Sequence, residues 1–205
     1  MKNAWNDIPL NDYENHMKLN SVYQLQTLNQ IMKAQLSDYP ISSVMILGIA
    51  GGNGLEHIHK EKYRHVYGID INQDYLNVCT KRYPELSEIF SPVLCDLQEK
   101  TIILPSAEMI VANLLVEYIG YENFIRHIQN VQPQIVSCVI QINEGEEFVS
   151  DSPYLHTFEH LNEIHREIKE SDIVYLMKQN GYKKIKREKF SLPNGKALLR
   201  ADFQK

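Results

Sequence analysis

Val44-Met45-Ile46-Leu47-Gly48-Ile49-Ala50-Gly51-Gly52-Asn53-Gly54-Leu55-Glu56-His57 is an apolar run that breaks into small residues and resumes with helix formers. The run is too short to span a membrane. That order predicts a buried strand over 43–47, a tight turn, and a helix reaching about residue 60. Small side chains let the backbone approach a ligand, because no Cβ stands in the way. A helix start offers unpaired N–H groups to the same ligand. Asn53 is placed to cap that helix, and Glu56, three residues on, completes a capping-box pattern.

The spacing of the small residues sorts the ligand. Read from Gly48, the dinucleotide pattern G-x-G-x-x-G meets Ala50 and Asn53 where it needs glycine; read from Gly52, Gly54 fits but His57 does not. The small residues recur instead at every second position: Gly48, Ala50, Gly52 and Gly54. This resembles the first motif of the class I S-adenosylmethionine-dependent methyltransferases, an acidic residue followed by G-x-G-x-G. Ala50, Gly52 and Gly54 stand on its glycine positions. Gly48 stands where the family has Asp or Glu, an acid that helps hold the cofactor's methionine amino group. Two roles are open for Glu56: a substitute for that acid, or only a cap for its own helix.

Length and composition set outer bounds. A chain of 205 residues buries roughly 70% of its unfolded surface, and its 43% hydrophobic and 23% charged residues are ordinary for a globular protein. A net charge of -5 argues against nucleic acid or an anionic membrane as a partner held by bulk charge. Cys79, Cys95 and Cys138 are far apart, odd in number and set among apolar residues, which reads as buried thiols in a reducing compartment. The N-terminus is polar and no run approaches the length of a membrane span. These features predict a soluble, cytoplasmic protein, monomer or homodimer. They also predict one domain over 1–205, with an N-terminal arm and helix over 1–40 and a core over 41–205.

Before the first strand, residues 1–18 have poor periodicity and predict an irregular arm. Tyr13-Glu14-Asn15-His16-Met17 within it resembles an arm motif of some small methyltransferases, whose N-terminal residues fold over the cofactor. The resemblance gives Tyr13, His16 and Met17 cofactor contacts; the plainer reading is a surface arm with one aromatic anchor. From Asn20 a helix is predicted, with Val22, Leu25, Leu28, Ile31, Met32 and Leu36 on one face.

After the first strand, the chain alternates strands and helices. A second strand over 66–69 ends at Asp70, twenty residues after Ala50. An acid there, with Ile71 beside it, is placed to accept both ribose hydroxyls of an adenosine; it also resembles the family's second motif. Asn72 caps the next helix, which Pro84 stops. A third strand over 89–94 leads into Cys95-Asp96-Leu97. The resemblance gives Asp96 the adenine amino group and Leu97 the ring face, which suits a carboxylate flanked by apolar side chains. A fourth strand over 108–112 delivers Asn113 and Leu114 to the crevice at the carboxyl ends of the strands. Family members that methylate planar amides or nucleobase amines carry Asn-Pro-Pro-Tyr here; this chain has neither proline. Glu117 and Tyr118 follow, as acceptor contacts or base, or as a helix cap and a packed tyrosine.

A crossover helix carries Phe124, Ile125, Ile128 and Val131, and a β-branched run over 135–142 predicts a central fifth strand. Acceptor-binding residues are expected in the polar connection over 143–157 and just beyond it, with Tyr154, His156 and His160 as candidates. His156, His160 and His165 lack the Cys or H-E-x-x-H context of a metal site, so no metal is expected. One or two helices over 164–177 end at Gly181. Pro193-Asn194-Gly195 between two strand-like runs predicts a hairpin, and so short a turn forces the last strand antiparallel. Lys183, Lys184, Lys186, Arg187 and Lys189 read as a solvated strand face that discourages edge pairing.

Together these features agree with an α/β fold, and the resemblance to the class I methyltransferases, which covers residues 43–203, implies a Rossmann-like seven-stranded sheet in the order 3-2-1-4-5-7-6, helices on both faces, and an N-terminal helical arm. The implied activity is methyl transfer from S-adenosyl-L-methionine to a small-molecule acceptor, with a protein side chain as the next choice. Alternatives are a protein that binds the cofactor or S-adenosylhomocysteine without turnover, aminopropyl transfer on the same fold, and nicotinamide-dependent oxidoreduction. No catalytic residue is assigned.

Overall fold

A computed structural model describes residues 3–143 and 149–205 of the chain. Helices α1 (Leu10–Lys18) and α2 (Gln24–Ser37) precede strand β1 (Ser43–Leu47). Next come β2 (His65–Asp70), α3 (Gln73–Arg82), β3 (Phe90–Leu94), β4 (Met109–Asn113), α4 (Val116–Val131) and β5 (Ile135–Ile142). Helix α5 (Glu170–Gln179) and strands β6 (Lys183–Ser191) and β7 (Ala197–Gln204) complete the elements.

The strands form one sheet in the predicted order, β3-β2-β1-β4-β5-β7-β6. β1 to β5 pair in parallel, while β7 lies antiparallel between β5 and β6. The hairpin forms at Asn194-Gly195, where Gly195 takes φ +79° and the Asn194 side chain accepts from Lys196 N at 3.1 Å. β1 shows why the sheet is covered on both sides. Val44 and Ile46 share one apolar cluster with Met32 and Leu36 of α2 and Leu76 and Cys79 of α3. Met45 and Leu47 share another with Phe124 and Ile128 of α4 and Ile173 and Met177 of α5. Neighbouring residues of a strand point to opposite faces, so a continuous apolar run needs a layer on each. β5 is buried along nearly its whole length, as predicted for an interior strand.

Four local expectations are corrected. The residues before α2 are helical, not irregular: a 3₁₀ turn at Ala4–Asn6, then α1, whose His16 and Met17 are buried. Only Leu10, Tyr13 and Met17 keep helical spacing among polar residues, so the amphipathic signal is weak. α2 begins at Gln24 rather than Asn20, because Val22 and Tyr23 both return N–H groups to the Leu19 carbonyl in a preceding turn. The helix predicted after β1 shrinks to a single 3₁₀ turn, Leu55–His57. There Asn53 donates to the Leu25 carbonyl at 3.0 Å, and Glu56 accepts from Gly54 N at 3.0 Å. Ties to α2 replace the cap. Between β5 and β6 the helix starts late, at Glu170, after a 3₁₀ stretch over Leu155–Glu163. It still ends at Gly181, in the left-handed region at φ +84°.

Two side-chain expectations change as well. Cys79 and Cys138 are buried free thiols, but Cys95 is only half-buried. In the basic cluster on edge strand β6, Lys184 and Arg187 pair with Glu170, and Lys186 pairs with Asp38.

Candidate functional site

Gly48, Ala50, Gly52 and Gly54 stand at φ +70°, +49°, +85° and +95°. The alternation in the sequence is therefore an alternation of left-handed backbone. Ala50 is the one member that pays for its Cβ there, roughly 1–2 kcal/mol. The bends serve two purposes. Gly48 and Ala50 line a cleft at the carboxyl ends of the strands. Gly52 and Gly54 lie outside that lining and open space beneath the loop: a Cβ on Gly52 would stand 2.7 Å from Cys79 Sγ and 2.8 Å from the Tyr83 ring. A Cβ on Gly54 would collide with Met32.

The cleft encloses about 660 Å³ of open space, solvent at its mouth included. Residues following four strands line it: Gly48 and Ala50 after β1, Asp70 and Ile71 at β2, Asp96 and Leu97 after β3, and Asn113 and Leu114 at β4. Asp70 is 8% exposed, and each of its oxygens already holds a backbone N–H: Oδ2 that of Ala50 at 2.8 Å, Oδ1 that of Asn72 at 2.9 Å. Burial pushes its carboxyl up from the ordinary range, against the N–H groups of Asn72, Ala50 and Ile71. A carboxylate oxygen has two acceptor sites, so Asp70 can tie the loop to β2 and still receive hydroxyl donors. Asp96 Oδ1 accepts from Gln98 N at 2.8 Å, which fixes the turn after β3. Asn113 is held by Gln35 of α2 through reciprocal amide bonds of 2.9 Å. Leu114 takes φ +53°, which turns the chain sharply across the cleft floor.

The arm forms the roof. Trp5 and Tyr13 line the cleft, with Trp5 edge-on to Tyr13 at 5.8 Å and to Tyr118 at 4.9 Å between ring centres. Hydrogen bonds fasten it: Asn72 Nδ2 to the Trp5 carbonyl at 3.0 Å, and the Tyr75 hydroxyl to the Ile8 carbonyl at 2.8 Å. Glu14 and Arg82 add a two-pronged ion pair, and Arg82 also reaches the Gly51 carbonyl at 3.1 Å. Glu56 does not line the cleft. Its carboxylate accepts from Asn29, Gly54 and Tyr83, and the helix it was expected to cap is a single 3₁₀ turn.

A second cavity, about 550 Å³ with its open mouth, adjoins the cleft and shares Trp5, Tyr13, Leu114 and Tyr118 with it. His16 and Met17 line this cavity and not the first, as do Glu117, Gln141 and Phe158. His16 Nδ1 lies 2.8 Å from Ser152 Oγ, and burial lowers its pKa, which favours the neutral ring. Glu117 is 2% exposed; Oε1 accepts from Gln141 N at 2.9 Å. Burial pushes its carboxyl up to about 7. Tyr154, His156 and His160 do not line either cavity, and both histidines are exposed. Of the acceptor connection expected over 143–157, residues 144–148 lie outside the described residues. Among the described residues no three His, Cys, Asp or Glu side chains converge as metal ligands, and no helix is long and apolar enough to cross a membrane.

Many solved proteins share this fold. A SAM-dependent methyltransferase from Leishmania major superposes with a TM-score of 0.68 at 12% identity, over 97% of this chain and 80% of that one. Geranyl diphosphate methyltransferase in complex with SAM gives 0.66 at 9% identity, over 94% and 88%. This is the class I S-adenosylmethionine-dependent methyltransferase fold. The cyclase SpnF shares it too, with a TM-score of 0.66 at 10% identity over 88% and 82% of the chains. No protein-family model and no curated protein matches the sequence at a significant level. At such identities the likeness speaks to the fold, and activity must be argued from the site.

Within this methyltransferase fold, Asp70, Ile71, Asp96, Leu97, Asn113, Leu114, Gly48, Ala50 and Tyr13 meet in one cleft. Sequence reasoning passed over Trp5 and the second cavity. A lone Trp in a polar arm carries no periodic signal, and a cavity between α1, α4 and the segment before α5 exists only once those segments pack.

Proposed function

We propose that the chain is a single-domain methyltransferase that moves the methyl group of S-adenosylmethionine to a small molecule. The observation that carries this is the meeting of Asp70, Asp96 and the Gly48–Ala50 backbone around one cleft at the carboxyl ends of the strands. The residues fit an adenosyl group. Asp70 keeps acceptor sites for the ribose hydroxyls, Asp96 offers a carboxylate to the adenine amine, and Ile71 and Leu97 flank the ring. Leu114 lines both cavities, and Asn113 precedes it in the cleft, where donor and acceptor would face each other. The cofactor supplies an electrophilic methyl, so the chain must align the nucleophile about 3 Å from it and exclude water. The second cavity suits the acceptor, and its size favours a small molecule over a protein side chain. We place the protein in the cytoplasm, as a monomer or homodimer.

One observation favours a second reading, a protein that holds the cofactor without methyl transfer: Gly48 replaces the family's acid, and among the described residues the cleft's carboxylates are only Asp70 and Asp96. The cyclase SpnF likewise carries this fold under another activity. Calorimetric titration separates these classes from nicotinamide chemistry: S-adenosylhomocysteine should bind and NAD should not. Incubation with labelled S-adenosylmethionine and a metabolite extract should then yield a labelled product and S-adenosylhomocysteine. Tight binding with no product from any extract favours the second reading.

A further inference from the structure

Glu117, which lines the second cavity, carries one unexplained atom. Glu117 Oε1 accepts from Gln141 N, but Oε2 is buried without a hydrogen-bond partner among the described residues. Buried carboxylate oxygens are nearly always given donors, and an exception asks for a reason such as a catalytic role. Among the described residues no Lys or Arg side chain lines the cavity, which favours an uncharged acceptor over an anionic one. Its apolar wall is Trp5, Tyr118, Phe158 and Leu161, which fits a flat apolar body. Leu114 and Tyr118 line both cavities, so an acceptor seated against them borders the cleft.

Resting on the methyl-transfer reading, we propose that Glu117 is the general base for an uncharged aromatic acceptor that bears an O–H or N–H group and occupies the second cavity. The acceptor donates its hydrogen to Oε2 and so completes the buried carboxylate. As the acceptor's oxygen or nitrogen pair forms the new bond to the methyl carbon, Glu117 takes the proton. The bond from carbon to sulfur breaks with its pair going to sulfur, which leaves neutral S-adenosylhomocysteine. The carboxyl then returns its proton to solvent. Burial holds this carboxyl near neutrality, where a base is most effective at cellular pH.

The test titrates the intact chain, saturated with S-adenosylhomocysteine, with three probes by calorimetry: 4-ethylphenol, 4-ethylaniline, and 4-ethylanisole, which has no donor hydrogen. The phenol or the aniline should bind at least tenfold more tightly than the anisole, and whichever binds better names the acceptor atom. Glu117→Gln should bind S-adenosylhomocysteine within twofold of the wild type, which shows an intact fold. It should lose the tenfold preference and transfer methyl to the preferred probe at least a hundredfold more slowly. Equal binding of all three probes by the wild type overturns the proposal without use of the variant, as does a preference that survives in Glu117→Gln. Failure of the wild type to bind S-adenosylhomocysteine overturns the cofactor reading itself, a separate outcome.

Discussion

Replacing Glu117 by Gln should make the folded protein more stable at alkaline pH and change the slope of stability with pH. Folding raises the Glu117 carboxyl from 4.5 to about 7 because the side chain leaves water without a cation to meet it. An acid whose folded pKa is raised costs nothing below its unfolded pKa. The cost grows as pH rises and is complete above the folded value. A shift of that size corresponds to about 3 kcal/mol at its plateau. Gln stays neutral and keeps an oxygen for Gln141 N, so it escapes this penalty at every pH. The facing groups are Tyr13 and His16 of α1, Tyr118 of α4, Cys138 of β5, and His165 with Glu167 and Lys169 before α5. Burial lowers the pKa of His16 and His165, so they act in the opposite sense, weakening the fold as pH falls below the ordinary imidazole range. They are common to both proteins and cancel in the difference. Urea unfolding of the ligand-free proteins, followed by circular dichroism, reads it directly. Between about pH 5 and about pH 8.5, the stability of the variant minus that of the wild type should rise by roughly 2–3 kcal/mol. Parallel profiles over that range would refute the claim that Glu117 is a desolvated, unpaired carboxylate.

Asp70→Ala should weaken S-adenosylhomocysteine binding by about 1.5–3 kcal/mol, the loss expected for hydrogen bonds to a charged group; unchanged affinity by calorimetry removes Asp70 from the site. Gly52→Ala forces a Cβ against Cys79 and Tyr83 at a left-handed backbone position. It should cost about 1–3 kcal/mol in urea unfolding, and a neutral substitution would show that the loop relaxes freely. Arg82→Gln removes the cation that ties α3 to α1, a partly exposed pair. Stability should fall by less than about 1 kcal/mol, while limited trypsin digestion at Lys18 should accelerate several-fold. Unchanged cleavage would show that the aromatic roof and the Asn72 and Tyr75 hydrogen bonds hold the arm without this ion pair.

What the sequence settled by itself were features carried by neighbours along the chain. The apolar runs at 43–47 and 135–142 mark strands covered on both faces, and Asn194-Gly195 fixes the last strand antiparallel; the full strand order came from the resemblance to the class I methyltransferases, and the sheet has it. Asp70, Asp96 and Asn113 were legible because a strand's carboxyl end is a place that sequence can name. Other features required distant segments to meet. Asn53 and Glu56 have the pattern of a capping box, yet α2 offers them partners 24 to 28 positions away and the helix does not form. Gly52 and Gly54 read as ligand-facing but make room for Cys79, Tyr83 and Met32. Arg200 and Asp202 look like ordinary strand polars, yet both are fully buried on β7, bonded to each other and to Ser137, Tyr39 and Asp38. The second cavity is of the same kind: desolvation of Glu117 is a property of its whole surroundings, contributed by α1, β5 and the segment before α5. Hydrophobic periodicity and turn chemistry are local and survive in a string of letters, whereas burial and hydrogen-bond competition are decided only when the layers pack.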